Sequence, residues 1–237
     1  MENLNLNQNM RIAGNLTISN WLELSINLKC DSYDDWSIAF QYFEERIKTR
    51  YINPIKSILD IGYNLGEGFA VVNLQCSLIE TIESFINGCN SEYNRKIRKT
   101  QWKKDTNIIF NSNKEIFESF FDKRKPFVGY DKKIDGVEFY QDVRCGLLHE
   151  TQTKNNWKIK CHSSKSALAY DEVKNGDKVE KIIYRENLQL ALEELILNYK
   201  NAIINRTIFD EFSACELRNN FRDKFNHICK ESMPKQS

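Results

Sequence analysis

The stretch EGFAVVNLQCSLIETIESFIN, residues Glu67–Asn87, followed by Gly88, decides the fold class. Val71, Leu74, Leu78, Ile82 and Phe85 recur at the spacing that aligns side chains on one face of an α-helix. The other side carries Asn73, Ser77, Glu80 and Ser84, and the only charges are Glu67, Glu80 and Glu83. A helix this poor in charge packs on most of its circumference, which predicts a central position. Glu80 there needs a partner, because an ionised carboxyl is costly to bury alone. Gly88 is a natural stop, since glycine readily takes the left-handed conformation that closes a helix.

Helical spacing continues on both sides. Trp36, Ala39, Phe40, Phe43 and Ile47 predict a helix over Tyr33–Tyr51, with Asp34 and Asp35 in its first turn, ended or kinked at Asn53-Pro54. A short helix over Ile55–Ile61 and a glycine-punctuated link over Gly62–Gly68 precede the central helix. Beyond it come helical patterns around Ile116, Phe117, Phe120 and Phe121, and then through Val137, Tyr140, Val143 and Leu147. Asn187 is read as the cap of a helix reaching Ile203, and Phe209–Cys229 as a last helix. Only between Trp157 and Tyr184 does the period become alternating, with Asn175-Gly176 as a hairpin turn. The expected architecture is mainly α. It is a helical bundle with a small inserted β-hairpin or three-stranded element at about 157–185, in a single domain over 15–237 behind a flexible polar lead-in, 1–14. The scarcity of Gly (9) and Pro (3) in 237 residues agrees with long helices.

A net charge of +1 excludes a global field drawing the protein to nucleic acid or an anionic membrane. No uninterrupted apolar run reaches the length of a membrane span, and the Asn-rich N-terminus lacks the apolar core of a secretion signal. The seven cysteines are scattered, without a C-x-x-C pair or Cys/His spacing of zinc type. They read as reduced thiols in a cytoplasmic protein with no metal site and no cofactor. Any nucleic-acid contact must therefore be local. The run Arg95–Lys104 is basic without acids, and Arg95, Arg98, Lys99 and Lys103 are read as phosphate contacts, with Trp102 stacking on a base.

Two residue pairs suggest phosphodiester chemistry. Arg144 and His149 stand five apart, as do Arg222 and His227. A neutral imidazole takes a proton from a ribose 2′-hydroxyl near neutral pH, and a guanidinium offers a planar fork of donors to the phosphoryl oxygens. No metal is needed, because the nucleophile is internal to the substrate. On a straight helix, however, five positions leave two side chains about 140° apart. Convergence requires a broken helix or a second subunit, and Gly146 offers a break in the first pair alone. Glu80 is read as orienting Arg144 or His149, and Asp142 or Glu150 as a nearby carboxylate for either.

The segment Arg144-Cys145-Gly146-Leu147-Leu148-His149-Glu150 resembles the R-x4–6-H motif of the HEPN superfamily, helical domains of prokaryotic toxins and defence proteins. Val72–Glu80 resembles a core helix of one plasmid- and defence-associated branch of it, and so does the run Gln152–Trp157. The resemblance covers Trp36 to Asn205. It implies a helical bundle and a homodimer with both motifs facing a shared cleft. It also implies metal-independent cleavage of RNA to a 2′,3′-cyclic phosphate and a 5′-hydroxyl. Arg144 and His149 would be the catalytic pair, with Glu80, Cys145 and Glu150 in support. Cys145 follows the arginine where the family often has Asn or another polar residue. A toxin or antiviral effector of this kind has RNA, its own second copy and an antitoxin or regulatory protein as partners. Some members only bind, so a non-catalytic nucleic-acid- or partner-binding module is the alternative.

Overall fold

In the computed structural model, Glu67–Asn87 is a single helix ended by Gly88 in the left-handed conformation (φ 63°). The structure describes residues 9–32, 35–62, 66–162 and 168–232. Residues 1–8 of the lead-in, Asp34, and 63–65 of the glycine-punctuated link lie outside them, as do 163–167 within the β region.

A short ribbon of β1 (Arg11–Ala13) and β2 (Leu16–Thr17) opens the described chain, burying Ile12 and Ala13. Helix α1 (Ile18–Asn27) is closed by a capping box between Thr17 and Asn20, which satisfies two backbone donors reciprocally. Helix α2 (Trp36–Ile47) runs through a π-helical turn, Lys48–Ile52, into α3 (Asn53–Ile61), where Pro54 sits in the first turn, the position proline tolerates. The central helix is α4 (Glu67–Asn87). It is the one described helix long and apolar enough to cross a bilayer, and most of it is buried inside the fold. Strands β3 (Asn90–Asn94), β4 (Lys99–Lys104) and β5 (Asn107–Phe110) follow, then α5 (Asn113–Lys123). The segment that carries the first Arg/His pair is α6 (Gly136–Glu138), a second π-helical turn over Phe139–Arg144, and α7 (Cys145–Glu150). Strands β6 (Trp157–Lys160), β7 (Tyr170–Asn175) and β8 (Lys178–Tyr184) lead to α8 (Arg185–Asn205) and α9 (Ala214–Ser232).

The expectation of a helical bundle with one inserted β element is overturned. The chain is mixed α/β, 59% helix and 18% strand, with strands in three small sheets. One sheet does lie within 157–185: β6 pairs in parallel with β8, and β7 pairs antiparallel on its other side, with Gly176 in the turn (φ 63°). The sheet β3-β4-β5 falls in the run read only as basic. Its turns carry Arg98 (φ 51°) and Asp105 (φ 52°) where glycine would have announced them. The helix capped by Asn187 in the sequence reading begins two residues earlier, at Arg185, which places Asn187 in its first turn. The last helix starts at Ala214, because Phe209 and Phe212 pair in a bridge instead.

One aromatic cluster binds α1, α2, α4, α8 and α9. Phe43 meets Phe85 at 4.8 Å between ring centroids, Phe85 meets Phe225 at 4.9 Å, and Phe40 stacks on Phe221 at 5.6 Å. A second chain of rings, Phe121, Phe139, Trp157 and Tyr170, ties α5 and the π turn to the β6-β8-β7 sheet at 4.9, 5.9 and 5.4 Å. Between them, Glu83 of α4 and Arg124 form a fully buried ion pair at 2.8 Å. The cysteine expectation is corrected as well: Cys30 and Cys215 are bonded, leaving Cys76, Cys89, Cys145, Cys161 and Cys229 as free thiols.

Candidate functional site

Arg144 is the last residue of the π-helical turn Phe139–Arg144, and that turn is what aims it. A π turn holds an extra residue and rotates the side chains that follow; such turns recur at functional sites. The Arg144 guanidinium lies against α4, where Nε donates to Glu80 Oε1 at 3.0 Å. Tyr140, one turn earlier, puts its ring 5.7 Å from the Arg144 Cζ. Both Nη nitrogens of Arg144 have no protein partner among the described residues.

The pair is half-buried, with 20% of the Arg144 side chain and 19% of Glu80 exposed. Burial pushes the Glu80 carboxyl up, and Arg144 draws part of that shift back. For Arg144, burial opposes the charge, but the Glu80 carboxylate outweighs it and holds the guanidinium above its ordinary value. Burial, with Cys145 beside its hydroxyl, pushes Tyr140 up to about 12. Beneath the pair Cys76 is fully buried, which raises its thiol further still. At neutral pH the group is thus a fixed cation with one carboxylate on its Nε edge and an open Nη edge.

His149 lies elsewhere. It is exposed on α7, with no hydrogen bond or ion pair among the described residues. The helix from Cys145 to Glu150 is continuous, so Gly146 makes no break. Its reason is packing: a Cβ there would lie 2.5 Å from the Gln152 carbonyl oxygen, where the chain folds back over the helix. Lys154 N then donates to the Asp142 carbonyl at 2.9 Å, and Asn155 Nδ2 to Asp142 Oδ1 at 2.9 Å. The fold therefore brings Arg144 and Glu80 together but not Arg144 and His149. Glu150 is exposed and pairs with Lys154 at 2.6 Å.

The second Arg/His pair does not converge either. Arg222 donates to the Leu28 carbonyl at 3.1 Å, while His227 lines a separate cavity of about 250 Å³ with Lys103 and Lys230. Burial, with Lys224 nearby, lowers the His227 imidazole from its ordinary value.

Of the basic run, Arg95, Arg98 and Lys99 are exposed around the β3–β4 turn. Lys103 is engaged by Glu92 at 2.8 Å. Trp102 is buried, its Nε1 donating to Asn113 Oδ1 at 2.9 Å and its ring 5.7 Å from Lys224 Nζ, so its face is covered by a cation of the protein itself. The sequence reading missed Tyr140 as a site residue because it fits the apolar stripe of its helix. Its place four residues before Arg144, one turn away, was the available signal. Among the described residues no cluster of three or more His, Cys, Asp or Glu is placed to hold a metal ion. Compared with known proteins, the chain matches no protein-family model, no curated protein and no solved structure.

Proposed function

We propose that the protein is a metal-independent endoribonuclease of the HEPN type, acting as a homodimer. The observation that carries this reading is the Arg144 guanidinium, anchored through Nε by Glu80 with both Nη groups unpartnered. That is the edge a phosphodiester takes in a bidentate contact. His149, exposed and unpartnered, is the base. It takes the proton of a ribose 2′-hydroxyl as the 2′-oxygen bonds to phosphorus. The bond to the 5′-oxygen breaks, and that oxygen receives a proton from an imidazolium or from water. The products are a 2′,3′-cyclic phosphate and a 5′-hydroxyl. Arg144 and His149 point apart on one helix, so a second copy completes the site, and the half-exposed Leu148 beside His149 gives the interface an apolar contact. A cytoplasmic toxin or antiviral effector, restrained by an antitoxin or regulatory protein until triggered, is the role this chemistry suits. The five free thiols fit that compartment, and the exposed Cys215 leaves its bond to Cys30 open to reduction.

The test is incubation of purified protein with RNA in EDTA. Cleavage survives chelation, yields a cyclic phosphate end, and disappears in His149→Ala with the circular dichroism spectrum unchanged. A requirement for Mg²⁺, or equal cleavage by His149→Ala, refutes the mechanism. A sedimentation profile showing only monomer at micromolar concentration refutes the shared site. The second reading, binding without cleavage, is favoured by the separation of Arg144 and His149 within one chain, and holds if intact RNA is retained but never cut.

A further inference from the structure

A cavity of about 380 Å³ opens beside α4, on the wall that carries Glu80. Three cations line it from three elements: Arg46 from the last turn of α2, Arg50 from the π turn Lys48–Ile52, and Lys224 from α9. None has a carboxylate partner among the described residues. Arg46 donates to the Ile12 carbonyl at 2.7 Å, and Lys224 donates to the Cys89 carbonyl at 2.7 Å and to Asn90 Oδ1 at 3.0 Å. Arg50 is exposed and makes no hydrogen bond among the described residues. Elsewhere the protein neutralises its enclosed arginines: Arg124 has Glu83, Arg144 has Glu80 and Arg185 has Glu67. The one carboxylate on this wall, Glu80, is already taken by Arg144.

The uncompensated charge is visible in the groups themselves. Burial brings Lys224 down to about 8, with Arg46 adding to the fall and Cys89 opposing it. Burial also brings Arg46 down to about 10, with Arg50 adding to it. Cations enclosed together without a counter-charge raise the energy of the empty site, and an anion relieves that. The wall also presents hydroxyls. Thr81 Oγ1 donates to the Ser77 carbonyl at 2.9 Å, so Tyr51, 3.0 Å away, is the donor to Thr81.

We propose that this cavity is a phosphate-binding subsite that takes a phosphate of an RNA chain one or more steps from the bond beside Arg144. The naming of RNA rests on the ribonuclease reading; the phosphate chemistry does not. Guanidinium forks and an ammonium are the donors a phosphate dianion or diester recruits. The size suits one phosphate with part of its nucleoside. The β3–β4 hairpin continues the path outward. Ser91 and Trp102, paired across it, stand at the cavity, while Arg95, Lys96 and Arg98 are exposed at its turn. At the rise of a strand, the turn lies about 10–15 Å further along, within reach of the next phosphates.

The full-length protein is titrated calorimetrically with inorganic phosphate, a 5′-mononucleotide and a 2′-O-methyl RNA oligomer that cannot be cleaved. All three bind, the oligomer most tightly. Arg50→Gln weakens each by about ten- to hundredfold, as the loss of a charge-assisted hydrogen bond predicts, and Lys224→Gln does the same. Arg50 supports no other contact, so its variant keeps the test decisive if Lys224→Gln fails to fold. Absence of binding by all three probes, or affinities unchanged in Arg50→Gln, overturns the subsite. An oligomer that binds no better than the mononucleotide overturns RNA as the source of the phosphate. Phosphate binding that is intact in His149→Ala, in a wild-type protein that cuts no RNA, leaves the subsite standing and removes the ribonuclease reading instead.

Discussion

Replacing Arg124 with Met tests the packing that places α4, and with it Glu80. The Arg124 Nε donates to Glu83 Oε2 at 2.8 Å and Nη2 to Oε1 at 2.9 Å, both side chains fully buried. Asp210 and Glu211 complete the arginine's surroundings at 3.1 and 2.7 Å, and Glu83 also accepts from Asn87 and Ser119, each at 2.9 Å. Burial opposes the Arg124 charge, yet Glu83 more than compensates and holds the guanidinium above its ordinary value. Arg124→Met leaves Glu83 as an enclosed anion with only neutral donors, a loss of about 3–5 kcal/mol. For a chain of 237 residues that is a fall in melting temperature of roughly 10 °C. Adding Glu83→Gln removes the stranded charge while an amide still accepts from Ser119 and Asn87, so the double variant recovers stability relative to Arg124→Met. Urea denaturation of the four proteins closes the cycle, with a coupling of about 1.5 kcal/mol or more expected. A single variant within about 1 kcal/mol of wild type, or a double variant equal to the sum of the singles, refutes the reasoning.

Three further outcomes follow from other sites. Lys224 is held near 8 by burial and by Arg46, against Cys89, so between pH 8 and its unfolded value the unfolded chain binds more protons. Wild-type stability therefore rises with pH across that window by up to about 3 kcal/mol, a rise that Lys224→Met removes in denaturation curves taken at several pH values; identical slopes for the two proteins argue against the enclosed ammonium. Gly146→Ala costs about 1–3 kcal/mol, because its Cβ meets the Gln152 carbonyl, where the same change on an open helix would stabilise; a gain in melting temperature contradicts that contact. Thiol titration of the denatured protein finds five reactive groups before reduction and two more after it, and Cys30→Ser/Cys215→Ser shows five in both states; seven without reductant means the bond is absent.

The central helix was legible in full, since composition, spacing and Gly88 all agree over Glu67–Asn87. The need of Glu80 for a partner was legible too, but not which cation answers it. The β3-β4-β5 sheet was not, because lysines mask its alternation and its turns use Arg98 and Asp105 at positive φ. Neither π turn leaves a mark in apolar spacing, so Gly146 stood in for the irregularity that Phe139–Arg144 supplies. The cavity cations were invisible for a plainer reason: Arg46 and Lys224 sit on helices far apart in the chain, and each alone reads as a solvated surface charge.

The π turn at Phe139–Arg144 also sets how this segment tolerates change in length. It is one residue that the helix accommodates without opening a loop. Deleting any single residue there would restore the ordinary hydrogen-bond ladder and turn everything downstream by about 100°. His149 would face a new direction and Gly146 would leave the Gln152 carbonyl, while every side chain of α7 kept its identity. The segment is thus guarded by phase more than by composition: conservative substitutions pass, and a deletion of one does not.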